Sequence, residues 1–233
     1  MNKLTVEDIW NVVGPAQNRT KLSYERFKNL YNLAKEIIDN NISGDFIEAG
    51  TWKGGACALL GVLCEEENKG RKVWAFDSFE GMGEPNTNLD LANWESTDTN
   101  EKICFNPNTA LRNFNLEDFY YTCFDMMKLK NDTFHIYKGW IENTMPEALP
   151  KVGQIALLRI DLDFYEPTKI AFEALYDKVV KNGYILCDDY GYWQGAKKVV
   201  DDIRNRHGET SELQRTYEYH NLAPSPECFW KKS

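Results

Sequence analysis

Between Ile155 and Tyr190 the chain reads IALLRIDLDFYEPTKIAFEALYDKVVKNGYILCDDY. Two apolar runs, Ile155–Ile160 and Tyr184–Cys187, are too short for helices. Each ends on carboxylates: Asp161 and Asp163 after the first, Asp188 and Asp189 after the second. Between them Ile170, Ala171, Ala174, Leu175 and Val179 recur at helical spacing, and Asn182-Gly183 supplies a helix-ending signal. The pattern predicts strand, helix, strand. That is a βαβ unit with acids at the carboxyl ends of two parallel strands, where open α/β sheets bind ligands.

Like charges a few ångströms apart repel, so carboxylates gathered this way need a counterion. A hard divalent cation such as Mg²⁺, which takes a few carboxylates plus water and substrate, supplies one. The plainer reading makes Asp188-Asp189 a solvated loop start and Asp161 a helix cap. For one aspartate that reading wins; for acids at the ends of two strands of one unit, a metal site ranks ahead.

The formal net charge of −9 disfavours a nucleic-acid or anionic-membrane partner. Six scattered cysteines include no C-x-x-C pair, so neither a zinc site nor a disulfide framework is indicated. The opening MNKLTVEDIW lacks the basic-then-apolar pattern of a secretion signal, and no apolar run reaches membrane-spanning length. A reducing, cytoplasmic setting is the expectation. At 233 residues the chain fits one α/β domain, with no linker to divide it.

In chain order, residues 1–20 predict a short helix and a loop. Ser23–Asn40 predicts an amphipathic helix, placed to cover a sheet edge or act as a lid within an N-terminal region spanning 1–43. Asp45–Ala49 is the first strand candidate. It leads into Gly50-Thr51-Trp52-Lys53-Gly54-Gly55 and the apolar helix Ala56–Cys64, a glycine-rich turn where backbone amides can meet a ligand. The pattern is G-x-x-x-G-G, not the dinucleotide fingerprint, and alone it is equally a tight turn. Lys72–Phe76 is the second strand, ending on Asp77-Ser78, which places Asp77 to bind the ribose hydroxyls of a nucleoside. With Glu48 near the same pocket, these acids suit a cofactor with a free ribose and a cationic centre, which points to S-adenosylmethionine rather than ATP.

Residues 83–131 form a substrate-side insert: a long polar loop over Gly83–Thr99, then a helix over Leu111–Lys130 whose aromatic residues read as core more readily than as a substrate platform. Thr133–Tyr137 is a third strand, in which His135 reads as a core or surface residue. Ile141–Leu149 and Gly195–Arg206 are helices, and Glu212–Tyr219 with Glu227–Lys231 is a terminal strand pair. His207 suits a helix end, and His220 lies in a terminal loop.

Five stretches, GDFIEAGTWKGGA (Gly44–Ala56), VWAFDSFEGM (Val73–Met82), YKGWIENTMP (Tyr137–Pro146), LLRIDLDFYEPT (Leu157–Thr168) and GYILCDDYG (Gly183–Gly191), occur in the order found in the macrocin O-methyltransferase family, which the chain therefore resembles. These are S-adenosylmethionine-dependent enzymes that methylate sugar hydroxyls in natural-product biosynthesis. The family's Asp-Gly-Asp is Asp161-Leu162-Asp163 here, with Leu162 expected to face away from the aspartates; residues 83–131 do not match. The resemblance implies a class I methyltransferase fold, a Rossmann-like three-layer sandwich whose sheet is mostly parallel with one antiparallel strand. It implies Mg²⁺ held by Asp161, Asp188 and Asp189, with Asp161 also the catalytic base and Asp163 in support. Residues matching the cofactor pocket are Glu48, Gly50, Asp77, Ser78, Gly139 and Trp140. Thr51 in the same turn joins them, and Thr20 and Ser23 are expected at the methionine end. It also suggests self-association, as a homodimer.

Chemically, a sugar hydroxyl is a poor nucleophile until its proton is made labile, and two adjacent hydroxyls can chelate a metal, so the expected acceptor is a small-molecule diol, a sugar above all. Two competing readings stay open at this point. One is a catechol-type O-methyltransferase acting on an aromatic diol; the other is a non-catalytic module that keeps the cofactor pocket.

Overall fold

Strand β4 (Ile155–Ile160) is buried along its whole length, because helices cover both faces of the sheet in which it lies centrally. The computed structural model describes residues 3–86, 88–91, 114–218 and 223–233. Its sheet has seven strands in the order β3-β2-β1-β4-β5-β7-β6. The others are β1 (Asp45–Ala49), β2 (Val73–Asp77), β3 (Phe134–Lys138), β5 (Val179–Cys187), β6 (Gln214–Glu218) and β7 (Ala223–Lys231). The first five in that order run parallel, and β7 is antiparallel to both neighbours. This is the class I methyltransferase arrangement that the resemblance implies.

Alternation along the strands separates two cores. Phe46, Leu157, Tyr184 and Leu186 face a layer of α1 (Val6–Val13), α2 (Tyr24–Asp39), α3 (Gly55–Glu67) and α4 (Leu116–Tyr120). Ile47, Leu158, Ile160 and Ile185 face α5 (Ile141–Ala148), α6 (Tyr165–Leu175) and α7 (Gln194–Arg206). Helix α3 is buried on every side from Gly55 to Cys64, since α1 and α2 cover it from outside. Among the described residues no helix is long and apolar enough to cross a membrane.

Two elements differ from the sequence-based expectation. Val179, read as the last apolar position of a helix, starts β5 instead: α6 ends at Leu175 and a 3₁₀ turn, Tyr176–Lys178, leads into the strand. Asn182-Gly183 therefore ends no helix. It interrupts the β4–β5 register, with Asn182 at φ 65° and Gly183 so close to β4 that a Cβ would sit 2.8 Å from the Ala156 carbonyl oxygen. The second difference is the helix expected over Leu111–Lys130. It starts at Leu116, capped by Asn115, and widens after Tyr120 into a π-helical turn, Tyr121–Met126. Of its aromatic residues Phe119 is core, as expected, fully buried and packed edge-on against Phe79 and Phe134, whereas Tyr120 and Tyr121 are exposed. Residues 92–113, the middle of the unmatched insert, and His220 lie outside the described residues.

The strand order reverses between β1 and β4, so the carboxyl ends of β1, β2, β4 and β5 face one crevice. The acids lie there.

Candidate active site

Strand β1 runs into Gly50, whose φ of +88° suits glycine and whose missing side chain is required: a Cβ would fall 1.7 Å from the Asp161 carbonyl oxygen. Asp161 is held there by its N–H, which donates to the Ala49 carbonyl at 2.8 Å. The Asp188 N–H donates to the Ile160 carbonyl at 2.9 Å, so the two acid-bearing loops leave the sheet side by side.

Beyond Asp161 the backbone turns sharply, with Asp163 at φ 60°. The Asp163 N–H donates to Asp189 Oδ2 at 2.9 Å, and its Oδ1 accepts from Trp193 Nε1 at 3.1 Å. Carboxylate oxygens of Asp161, Asp163 and Asp189 come within 4.8 Å of one another. Leu162 packs against the second core, away from them. Burial and then the neighbouring Asp188 carboxylate raise the Asp161 pKa well above the usual range. Burial pushes Asp163 up to about 6, and burial with Asp163 and Asp161 raises Asp189 well above its ordinary value. Three proton-hungry carboxylates that converge on one point form a site poised for positive charge.

Asp188, the third expected ligand, lies between two arginines. Its Oδ1 accepts from Arg159 Nη2 at 2.6 Å and its Oδ2 from Arg26 Nη1 at 2.7 Å. Burial opposes its ionisation, but the two guanidinium groups outweigh that and hold its pKa below the usual value. Arg159 is 1% exposed and also pairs with Glu48 Oε1 at 2.6 Å and Asp161 Oδ2 at 3.0 Å. Glu48, expected at the cofactor pocket, is an enclosed counterion to Arg159 at the base of the site.

The remaining expected cofactor residues gather around the glycine-rich turn. Asp77 Oδ2 accepts from the Thr51 and Trp52 N–H groups, both at 2.8 Å, and its Oδ1 from Phe79 N–H at 2.7 Å. This carboxylate, expected to meet ribose hydroxyls, also shapes the turn through these three bonds. The Ser78 hydroxyl donates to the Gly81 carbonyl and accepts from Glu80 N–H. Gly139, at φ +143°, donates its N–H to the Asp77 carbonyl at 2.8 Å, and Trp140 follows it half-exposed at the start of α5. Thr20 is buried against the turn, where the Arg19 carbonyl accepts from Gly55 N–H at 2.9 Å. Ser23 caps α2, its Oγ accepting from Arg26 N–H. Thr51 is buried in the glycine-rich turn.

With this geometry in hand, comparison with known families is decisive. The model of the family described as Macrocin-O-methyltransferase (TylF) matches residues 5–219. The chain belongs to the macrocin O-methyltransferase family. It is accordingly an S-adenosylmethionine-dependent O-methyltransferase. It is 30% identical over 202 residues to the demethyldecarbamoylnovobiocin O-methyltransferase of Streptomyces niveus, which covers 85% of this chain and 72% of the relative. It is 28% identical over 195 residues to the 8-demethyl-8-(2,3-dimethoxy-alpha-L-rhamnosyl)-tetracenomycin-C 4'-O-methyltransferase of Streptomyces olivaceus, which covers 83% and 70%. Among solved structures, that of the O-methyltransferase NovP superposes with a TM-score of 0.76 at 26% identity, over 92% of this chain and 82% of that one.

Within this macrocin-type methyltransferase, sequence reasoning missed the two arginines. Arg159 left a signal, a charge inside the otherwise apolar run IALLRI, which demands buried counterions. Arg26 left none: on an amphipathic helix it reads as a solvated face.

Proposed function

We propose that this enzyme moves the methyl group of S-adenosylmethionine to a hydroxyl of a sugar, free or carried by a natural product, with Mg²⁺ held at the acidic crevice. The observation that carries this reading is the convergence of Asp161, Asp163 and Asp189 within 4.8 Å beside the Gly50 turn. All the donors are carboxylate oxygens on loops anchored to strand ends, a set that fits a hard divalent cation. Asp161 and Asp189 belong both to this cluster and to the family's ligand pattern; Asp188 completes the set by that pattern, and Asp163 by distance. When bound, the cation supplies positive charge that makes an acceptor hydroxyl more acidic and holds it in place.

The chain's own residues do the rest. Asp161 accepts the hydroxyl proton from its fixed place at the end of β4. The turn Gly50–Gly55, braced by Asp77 and overlaid by Arg19 and Thr20, aligns the methyl donor with the acceptor oxygen. That the acceptor is a sugar rests on the Streptomyces olivaceus relative, whose name describes 4'-O-methylation of a rhamnosyl-bearing tetracenomycin.

Asp161→Asn tests this reading. Transfer should fall by about 10²–10⁴-fold, as expected for a lost general base, while calorimetric affinity for S-adenosylmethionine holds within about twofold, a change worth less than 0.5 kcal/mol. Turnover at the unaltered rate in that variant would sink Asp161 as base. Full activity after dialysis against a chelator would sink the cation.

A further inference from the structure

Asp188 has two carboxylate oxygens, and each carries a guanidinium. A cation on Asp188, which rests on the proposed function, brings like charge against the two guanidinium groups already on those oxygens, so one arginine has to give ground. The two are not equally movable. Arg159 is 1% exposed and is shared among Glu48, Asp161 and Asp188, so moving it would strip three buried carboxylates at once. Arg26 keeps 14% of its side-chain exposure and sits in the first turn of α2, two residues from the helix start at Tyr24. It is the cheaper one to displace.

Other ties keep helix α2 in place when that ion pair opens, among them Tyr24 Oη, which donates to Glu7 Oε1 at 2.5 Å on α1. The carboxyl-terminal half of α2 is tied to the sheet away from the site, where Tyr184 Oη and Lys231 Nζ both donate to Glu36 Oε1 at 2.9 Å. Nearer the start, Asn29 Nδ2 donates to the buried Glu227 Oε1 at 3.0 Å. Only Arg26 among these ties reaches an acid of the crevice. The same first turn follows Thr20 and Ser23, which lie beside the glycine-rich turn.

We propose that Arg26 is a positioning residue that competes with the divalent cation for Asp188, so that loading the site and releasing the first turn of α2 are one linked event. By reciprocity, whatever holds Arg26 on Asp188 weakens the cation to the same degree. Arg26 stands in for the cation while the crevice is empty of one, which spares Asp188 the repulsion that its three neighbours share.

Binding of Mn²⁺, followed by the loss of its free electron-spin signal, tests the competition in the full-length chain, alone and as Arg26→Gln and Arg26→Lys. Arg26→Gln should bind Mn²⁺ about three- to tenfold more tightly, the effect of removing one partly exposed competing charge. Arg26→Lys, which keeps the charge, should stay near the parent. Amide exchange on the unaltered protein gives a second readout that needs no variant: with Mn²⁺ the amides near Arg26 should exchange faster, while those near Glu36 do not change. Equal or weaker Mn²⁺ binding by Arg26→Gln, or first-turn exchange indifferent to Mn²⁺, overturns the proposal. If the unaltered protein and Arg26→Gln both fail to bind Mn²⁺, the cation itself is refuted and the competition with it. Tight binding by the parent with no change in the variant refutes the competition alone.

Discussion

Glu227 shows how far one buried side chain can set a property of this protein. It lies fully enclosed on β7, and its Oε1 accepts from Asn29 Nδ2 at 3.0 Å and Thr216 Oγ at 2.7 Å. Burial, and then the Asp188 carboxylate, push its pKa up to about 7 from an ordinary 4.5. The folded protein therefore holds a proton there that the unfolded chain has already lost. Wherever the folded state binds more protons, stability falls as pH rises, so Glu227 costs stability between about pH 4.5 and 7. A shift of that size corresponds to on the order of 3 kcal/mol. Glu227→Gln can accept both hydrogen bonds through its amide oxygen and does not titrate. Its melting temperature should decline less than the parent's across that window, measured by scanning calorimetry from pH 4.5 to 8; a parallel decline would show that Glu227 is not the group responsible.

Elements, not only residues, carry the site, and the β1–α3 turn carries most. Gly50 combines a positive φ with backbone contact to Asp161, so an added methyl group meets both conformational strain and the carbonyl oxygen of the residue that follows β4. The strain alone is about 1–2 kcal/mol for a left-handed alanine. Gly50→Ala should bind S-adenosylmethionine at least tenfold more weakly, the equivalent of about 1.4 kcal/mol, since the turn and the Asp161 loop must part to admit the methyl group. Titration calorimetry reads this directly, and unaltered affinity would mean that the cofactor does not lie on the turn. Helix α6 shows a different economy. Its first residue, Tyr165, donates its N–H to Asp90 Oδ1 at 2.7 Å, a cap supplied from 75 positions earlier because Phe164 offers none. The start of the insert is thereby pinned where both acid-bearing loops run into their helices, since Gln194 N–H also donates to the Leu91 carbonyl.

At the scale of the whole molecule, Arg159 joins β1, β4 and β5 through Glu48, Asp161 and Asp188. Removing one partner from a buried ionic network leaves the others uncompensated. Arg159→Met should destabilise the fold by about 3–5 kcal/mol, with a smaller deficit at pH 5, where protonation relieves the stranded carboxylates. Urea denaturation at two pH values measures both, and a pH-independent loss would assign the effect to packing alone. Local pattern was enough for much of this architecture. The apolar runs of β1, β2, β4 and β5, the glycines of the turn and the acids after β4 and β5 are legible because strand period, turn chemistry and strand-end carboxylates are properties of neighbours in the chain. The sequence alone thus determined an α/β sheet with an acidic crevice, and five ordered motifs determined its family. Asn182-Gly183 was misread because the same dipeptide can end a helix or interrupt a strand, and only pairing with β4 chooses between them. Tertiary structure alone decided that Asp77 faces the turn amides, that Glu48 is enclosed, and that Asp188 is shared by Arg26 and Arg159. Hydrogen-bond partners 25 to 162 positions apart are set by how helices and strands pack, and nothing in the local sequence encodes which side chain will be within 3 Å of a given carboxylate.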